Sequence, residues 1–267
     1  MINMPKAIWT GSLTFGLVNI PIKAYPAIKD RTISFKTLHS ECHAPLQYKR
    51  WCPKCEREVN WNEVDKGYPI TKDKFIVLTN KELESLQLKT TKSVEIQKFT
   101  DLASIDSIYF NDHYYLAPGE GGERAYALLR DVLSLLNKVA LGKVTFRNKE
   151  HMVAIRPYQK GLVMTTLHYP DEVIAIDRLE ELGRLEASRE QELQLAKMLI
   201  ERMEGDFKPE ENIDNYRSAV MNLIKQKAEG VEIAAVKPVE VRATVDLMKA
   251  LEESVLAIKK EKQAPSV

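Results

Sequence analysis

All three cysteines of the chain lie between Cys42 and Cys55, in the run His39-Ser40-Glu41-Cys42-His43 followed by Cys52-Pro53-Lys54-Cys55. A Cys-x-x-Cys pair places two thiolates on one tight turn, the knuckle that tetrahedral zinc prefers, and a second His or Cys pair nearby can complete four ligands. The spacing predicts a structural zinc on a ribbon-like hairpin, held by His39, Cys42, Cys52 and Cys55, with His43 competing with His39 for the fourth place. Two blander readings stand beside it. A redox dithiol normally sits between a strand and a helix of a thioredoxin-like unit, which the flanking residues do not suggest, and plain structural cysteines need no ligand at all.

The same stretch is basic. Lys23, Lys29, Arg31, Lys36, Lys49, Arg50, Lys54 and Arg57 are interleaved with Tyr25, Phe35, Tyr48 and Trp51. Lys and Arg neutralise phosphates and aromatic faces offer stacking, so this segment reads as a phosphate-contacting surface. A second cluster, Lys143, Arg147, Lys149, Arg156 and Lys160, is opposed only by Glu150 before residue 171. The overall net charge of +1 hides a gradient of +5 over residues 1–60, +2 over 61–170 and −6 over 171–267. A basic body joined to an acidic end suits a polyanion partner for the first and a protein partner for the second.

Catalytic signatures are missing. Gly11-Ser12-Leu13-Thr14-Phe15-Gly16 opens like a phosphate-binding loop, but Leu17-Val18 stand where Lys and Ser or Thr must reach phosphate and magnesium. Gly119-Glu120-Gly121-Gly122 lacks the last glycine of a dinucleotide loop. His168 and Asp171 define a rival reading, a metal-assisted hydrolase, yet no nucleophile has a sequence reason to approach them. The expectation is therefore a binding protein rather than an enzyme, with no cofactor required beyond a structural zinc.

The elements that must carry these residues change along the chain. Up to about Tyr169 short β-branched and aromatic runs alternate with turns: Ile33–Leu38, Lys74–Leu78, Ser93–Phe99 and Gly161–Leu167. Ile33, Phe35 and Thr37 share one side, as do Val94, Ile96 and Lys98, so closure into a barrel or sandwich is expected. One helix, Glu123 to Lys138, breaks the series with a stripe of Ala125, Leu128, Leu129, Val132, Leu135 and Leu136. Charged helices follow at Glu186–Glu204 and Ile213–Lys227, with Thr79 and Ser188 as N-cap candidates. Beyond a linker at Ala234 to Pro238, Val239–Lys260 forms a last amphipathic helix whose face of Val241, Val245, Met248, Leu251 and Val255 has no evident partner in the chain. Hydrophobic residues at 44% and charged residues at 29% are globular values, and no apolar run is long enough to span a membrane. An odd number of cysteines and an N-terminus without an apolar leader point to the cytoplasm.

The residues together resemble prokaryotic Ku proteins, the end-binding factors of non-homologous end joining. The opening Ala7-Ile8-Trp9-Thr10-Gly11-Ser12-Leu13-Thr14-Phe15-Gly16-Leu17-Val18-Asn19-Ile20-Pro21-Ile22-Lys23 carries the likeness, as do Tyr48-Lys49-Arg50, Lys66-Gly67-Tyr68, Tyr114-Tyr115-Leu116-Ala117-Pro118, Arg156-Pro157-Tyr158 and His168-Tyr169-Pro170-Asp171-Glu172-Val173. These motifs keep the family's order from Ala7 to near Lys227. The resemblance implies a mixed α+β, mainly β fold: a Ku-type β-barrel core over residues 1–175 with a bridge at about 29–80, a helical arm over 176–232, and a short helix over 233–267 for partner docking. It implies a homodimeric ring around double-stranded DNA ends, gripping any sequence through phosphates. Repair of double-strand breaks would then continue with recruitment and stimulation of the multifunctional repair ligase through the last helix, in a nucleoid-associated, cytoplasmic protein. The competing expectation is a zinc-ribbon-bearing DNA- or RNA-binding regulator that uses the same basic hairpin on internal or folded sites.

Overall fold

The computed structural model describes residues 6–72, 74–85, 92–146, 149–230 and 247–261. In chain order its strands are β1 (Trp9–Phe15), β2 (Val18–Pro26), β3 (Trp51–Cys52), β4 (Arg57–Glu58), β5 (Lys66–Thr71), β6 (Lys74–Leu78), β7 (Ser93–Thr100), β8 (Phe110–Pro118), β9 (Val139–Phe146), β10 (Lys149–Tyr158) and β11 (Gly161–Leu167). The helices are α1 (Asn80–Ser85), α2 (Glu123–Leu135), α3 (Glu190–Met203), α4 (Asn215–Ala228) and α5 (Leu247–Glu261). Two compact units meet at Ala175/Ile176 in the sequence.

The first unit is built on a closed barrel in the order β1-β2-β8-β11-β10-β9-β7. Its pairings are antiparallel except the one that closes it, β1 alongside β7. The run that opens like a phosphate loop is strand β1 and the start of a two-residue hairpin turn: Phe15 pairs with Val18, and Gly16 takes a φ of 57°, a left-handed value glycine adopts without steric cost. Alternation places Leu13, Ile20, Ile22, Val94, Tyr114, Leu116, Val144, Val153, Ile155, Leu162 and Met164 inside the barrel, where all are buried. The β7 alternation stops short of its expected end. A bulge between Ile96 and Lys98 against β9 resets the phase, so Lys98 does not share the inward side of Val94 and Ile96. Strand β7 also sits tightly between its neighbours. A Cβ on Gly11 of β1 would strike the Lys92 carbonyl, and one on Gly142 of β9 would strike the Glu95 carbonyl, so both closing contacts require glycine.

Helix α2 packs on β10 and closes one end of the core with Tyr126, Leu129 and Leu133. The buried face is narrower than the expected stripe: of that stripe Leu129 is buried and Ala125 packs at the margin of the core. Leu128, Val132 and Leu136 instead line an apolar groove of ≈ 600 Å³ with Phe15, Val18 and Phe99. The buried Tyr126 hydroxyl donates to the Leu116 carbonyl (2.6 Å) and accepts from the Leu162 N–H (2.8 Å), tying α2 to β8 and β11. Burial raises this phenol's pKa, so the hydroxyl stays protonated through the physiological range.

Ile33–Leu38, expected as a half-buried strand, finds no neighbour. Only an isolated bridge between Leu38 and Pro45 forms, because the segment lies in the excursion between β2 and β7, away from the barrel. Thr79 does cap α1, reciprocally with Glu82, whereas α3 starts after Arg189 rather than Ser188.

In the second unit, α3 packs against α5. The face of α5 read as unpartnered is therefore partly covered within the chain: Val255 is only 6% exposed, and Met248 and Leu251 are half-buried. Val241 and Val245 lie outside the described residues. On α3 the half-buried set is Leu195, Ala196 and Leu199, while Leu193 and Ile200 of the expected stripe are exposed.

The Tyr126 contact generates a stability prediction. Tyr126→Phe removes the acceptor of a buried N–H while keeping the ring, and should cost about 1 to 3 kcal/mol in urea unfolding; a change within error would show that the hydroxyl is not a structural tie.

Candidate nucleic-acid interface

Strand β2 ends at Pro26, and the chain leaves the barrel after the Ala27 N–H donates to the His113 carbonyl (3.0 Å). No described residue from Ile28 to Thr79 is buried. A segment with no apolar core must be held by local hydrogen bonds, and three hairpins supply them. The first turns at residues 39–44 and is closed by the Leu46 N–H on the Thr37 carbonyl (3.0 Å); Thr37 Oγ1 also meets the Tyr48 hydroxyl (3.2 Å). The second is β3–β4, closed by the Val59 N–H on the Arg50 carbonyl (2.8 Å), and the third is β5–β6.

The charged side chains divide into two groups. Four of the sequence-predicted cations are already neutralised: Lys49 on Glu58 (2.9 Å), Arg57 on Glu63 through two hydrogen bonds (2.7 and 3.3 Å), Lys143 on Glu150 (2.8 Å) and Lys149 on Glu172 (3.0 Å). Arg57, with help from the Asn60 N–H, holds the Glu63 carboxyl at about 2, and the Glu58 contact raises the Lys49 ammonium. Glu172 is likewise held at about 2, by the Tyr169 N–H first and then Lys149. Sequence counting missed Glu58 and Glu63 as partners because Glu58 faces Lys49 only once the hairpin has formed, and Glu63 faces Arg57 only once the chain turns back after β4.

Lys23, Lys29, Arg31, Lys36 and Lys54 are exposed and have no carboxylate partner among the described residues. Lys23 lies on the outer face of β2, Lys29, Arg31 and Lys36 on the leading stretch of the excursion, and Lys54 at the tip of the β3–β4 hairpin. The Arg50 guanidinium lies 3.7 Å above the Trp61 ring, and its enclosed Nε has no hydrogen-bond partner. Arg156 is half-buried, 5.3 Å from the Tyr158 ring, and Arg147 lies outside the described residues. Three exposed aromatics that the sequence reading passed over, Trp61, Tyr68 and Phe75, join Phe35, Tyr48 and Trp51 on the excursion. Uncompensated cations and exposed rings carried on one excursion suit a polyanion carrying flat groups.

The sulfur ligands come together in pairs. His39 Nδ1 is 3.2 Å from Cys42 Sγ, and Cys55 hydrogen-bonds to Cys52. Among the described residues no three His, Cys, Asp or Glu side chains gather where one ion could touch them all, so the expected four ligands stand as two pairs. The Cys52 thiol is lowered, chiefly by the Cys55 backbone N–H, then by the Cys55 side chain and the Lys54 N–H, while Cys55 is raised by donating to it. His168 meets Glu172 (3.4 Å) rather than Asp171, in the turn after β11, which leaves the hydrolase reading without its pair.

A family model described as the Ku70/Ku80 beta-barrel domain matches residues 14–195. The chain belongs to the Ku family. Proteins named "Non-homologous end joining protein Ku" from Archaeoglobus fulgidus, Heliobacterium modesticaldum and Bacillus subtilis are 43%, 38% and 39% identical to it. The alignments cover 94%, 97% and 93% of this chain and 99%, 94% and 81% of those proteins. The seven-stranded barrel and the helices after it are thus a Ku fold, and this is a non-catalytic DNA-repair protein of end joining. Among the described residues of this Ku protein no helix is long and apolar enough to cross a membrane.

The Arg57–Glu63 pair gives a pH prediction. Its carboxyl is depressed in the fold, so the pair's contribution is complete above the ordinary Glu range near pH 4.3 and fades as pH falls toward about 2. Side-chain carboxyl NMR should show Glu63 titrating well below the exposed glutamates, and a Glu63 that titrates with them would remove the pair from the solution structure.

Proposed function

We propose that this protein binds double-stranded DNA ends without sequence preference, as a homodimeric ring threaded by the duplex, and recruits the multifunctional repair ligase of end joining. The observation that carries this reading is the coreless excursion of residues 28–79, which offers exposed, uncompensated Lys29, Arg31, Lys36 and Lys54 and a stacked Arg50 on a rigid Ku barrel. Phosphate contacts supply affinity and register without reading bases, which is what a protein that must accept any broken end requires. Dimerisation has support in the second unit, where Ile200 and Met203 of α3 and Tyr216 of α4 are exposed in the single chain. Ligase recruitment is assigned to the segment from Val239 onward. Because α3 already covers Val255, the ligase would meet the half-buried Met248 and Leu251 at the margin of that contact, together with Val241 and Val245. The protein would work in the cytoplasm, on the nucleoid.

Two chains that together neutralise on the order of 6 to 10 phosphates should lose about 10³- to 10⁵-fold in affinity between 50 and 200 mM salt. Replacing Lys29, Arg31, Lys36 and Lys54 by Ala should flatten the log–log salt slope by about 0.9 for each contact removed; an unchanged slope would take the phosphates away from this excursion. Topology is tested by gel shift at fixed salt with an open linear duplex, the same duplex with both ends blocked, and a closed circle. Binding confined to open ends is the expected result, and equal binding to the circle would favour the zinc-ribbon regulator instead. Deleting residues 239–267 should abolish stimulation of the ligase while leaving end binding in place; intact stimulation would relocate the docking site.

A further inference from the structure

The hairpins at residues 37–46 and 50–59 are two copies of one backbone device, thirteen residues apart. In the first, the Leu46 N–H donates to the Thr37 carbonyl; in the second, the Val59 N–H donates to the Arg50 carbonyl. One step inward, His39 pairs with Ala44 and Cys52 pairs with Arg57. The turn of each closes on a non-glycine residue with positive φ, His43 at 55° and Glu56 at 49°. Superposing the registers sets His39 on Cys52, Cys42 on Cys55 and His43 on Glu56. Each copy therefore presents donors at its first and fourth turn positions, followed by a left-handed residue, and in each the two donors touch one another.

We propose that these hairpins are the two knuckles of one tetrahedral zinc site, with His39 Nδ1, Cys42 Sγ, Cys52 Sγ and Cys55 Sγ as ligands. The correspondence decides what spacing left open: His43 occupies the left-handed turn position that Glu56 fills in the other copy, so it shapes the knuckle and does not ligate. The first pair is already close to its ligand spacing. Zinc–nitrogen and zinc–sulfur bonds of about 2.0 and 2.3 Å span a tetrahedral edge of about 3.5 Å, against 3.2 Å between His39 Nδ1 and Cys42 Sγ. Three thiolates and an imidazole are a donor set that selects zinc over magnesium or calcium. Each pair alone is half a site, and with no buried residue among those described between Ile28 and Thr79, no apolar packing in that stretch holds the knuckles apart. The ion would draw them together and fix the orientation of Lys54, which lies between the ligands Cys52 and Cys55.

Metal content and visible spectroscopy of the full-length protein test this directly, and neither readout depends on DNA binding. Protein purified without chelator should carry one zinc per chain by mass spectrometry of the metal. Replacement by Co²⁺ should give the intense visible bands and thiolate charge-transfer absorption of a tetrahedral sulfur-rich site. Cys52→Ser with Cys55→Ser, and His39→Ala, should each lose the ion and the spectrum, whereas His43→Ala should keep both. Substoichiometric metal in the wild type, or octahedral-type weak cobalt bands, would overturn the site. Loss with His43→Ala and retention with His39→Ala would overturn the ligand assignment drawn from the paired registers.

Discussion

Strand β1 pairs antiparallel with β2 along its whole length and then, through Ser12, Leu13 and Thr14, runs parallel to β7. That second pairing converts a seven-stranded sheet into a barrel with no free edge. Closure demands that β7 sit between two strands which each give up a side chain at the point of approach, Gly11 on one side and Gly142 on the other. It also encloses the core, one end of which α2 covers through Tyr126, Leu129 and Leu133. With the hydrogen-bonding edges used up inside the barrel, residues 28–79 of the connection from β2 to β7 are relieved of any role in the core and can travel outward.

That connection uses the same residue types for two purposes. Lys49 with Glu58 joins the two sides of the β3–β4 hairpin and Arg57 with Glu63 ties β4 to the turn that follows it, and pairs so exposed contribute little net stability. Their effect is on shape: without apolar packing, a bidentate Arg–carboxylate contact and a set of turn hydrogen bonds are what restrict the hairpin's conformations. Lys29, Arg31, Lys36 and Lys54 keep their charge uncompensated among the described residues, and it is the register across β3–β4 that sets Glu58 beside Lys49.

The β-branched runs that meet a neighbour on both sides were legible as strands: β7, which alternates up to its bulge, and β11, which is buried along nearly its whole length. Ile33–Leu38 alternates equally well and forms no ladder, because alternation reports the capacity to pair and says nothing of whether a partner is present. The α2 helix was legible in extent, but its buried face is Tyr126, Leu129 and Leu133, chosen by the shape of the barrel end rather than by the most apolar stripe. Basic composition marked residues 23–57, while the carboxylates that neutralise Lys49 and Arg57 there, and Lys143 and Lys149 on the barrel, became visible only in the folded chain. The ligand pairs were legible as spacing; the equivalence of His43 with Glu56 was not, since it rests on backbone φ and hydrogen-bond register.

The absence of buried residues among those described from Ile28 to Thr79 separates what a melting curve reports from what this surface presents. The heat capacity and denaturant sensitivity of unfolding scale with the surface exposed, and nearly all of that surface belongs to the barrel and the helices. Amides of the excursion should exchange with solvent through local openings far below the global unfolding free energy. Calorimetry is therefore nearly blind to this segment: substitutions there can rewrite its surface chemistry at full thermal stability, free of the packing constraints that govern the barrel.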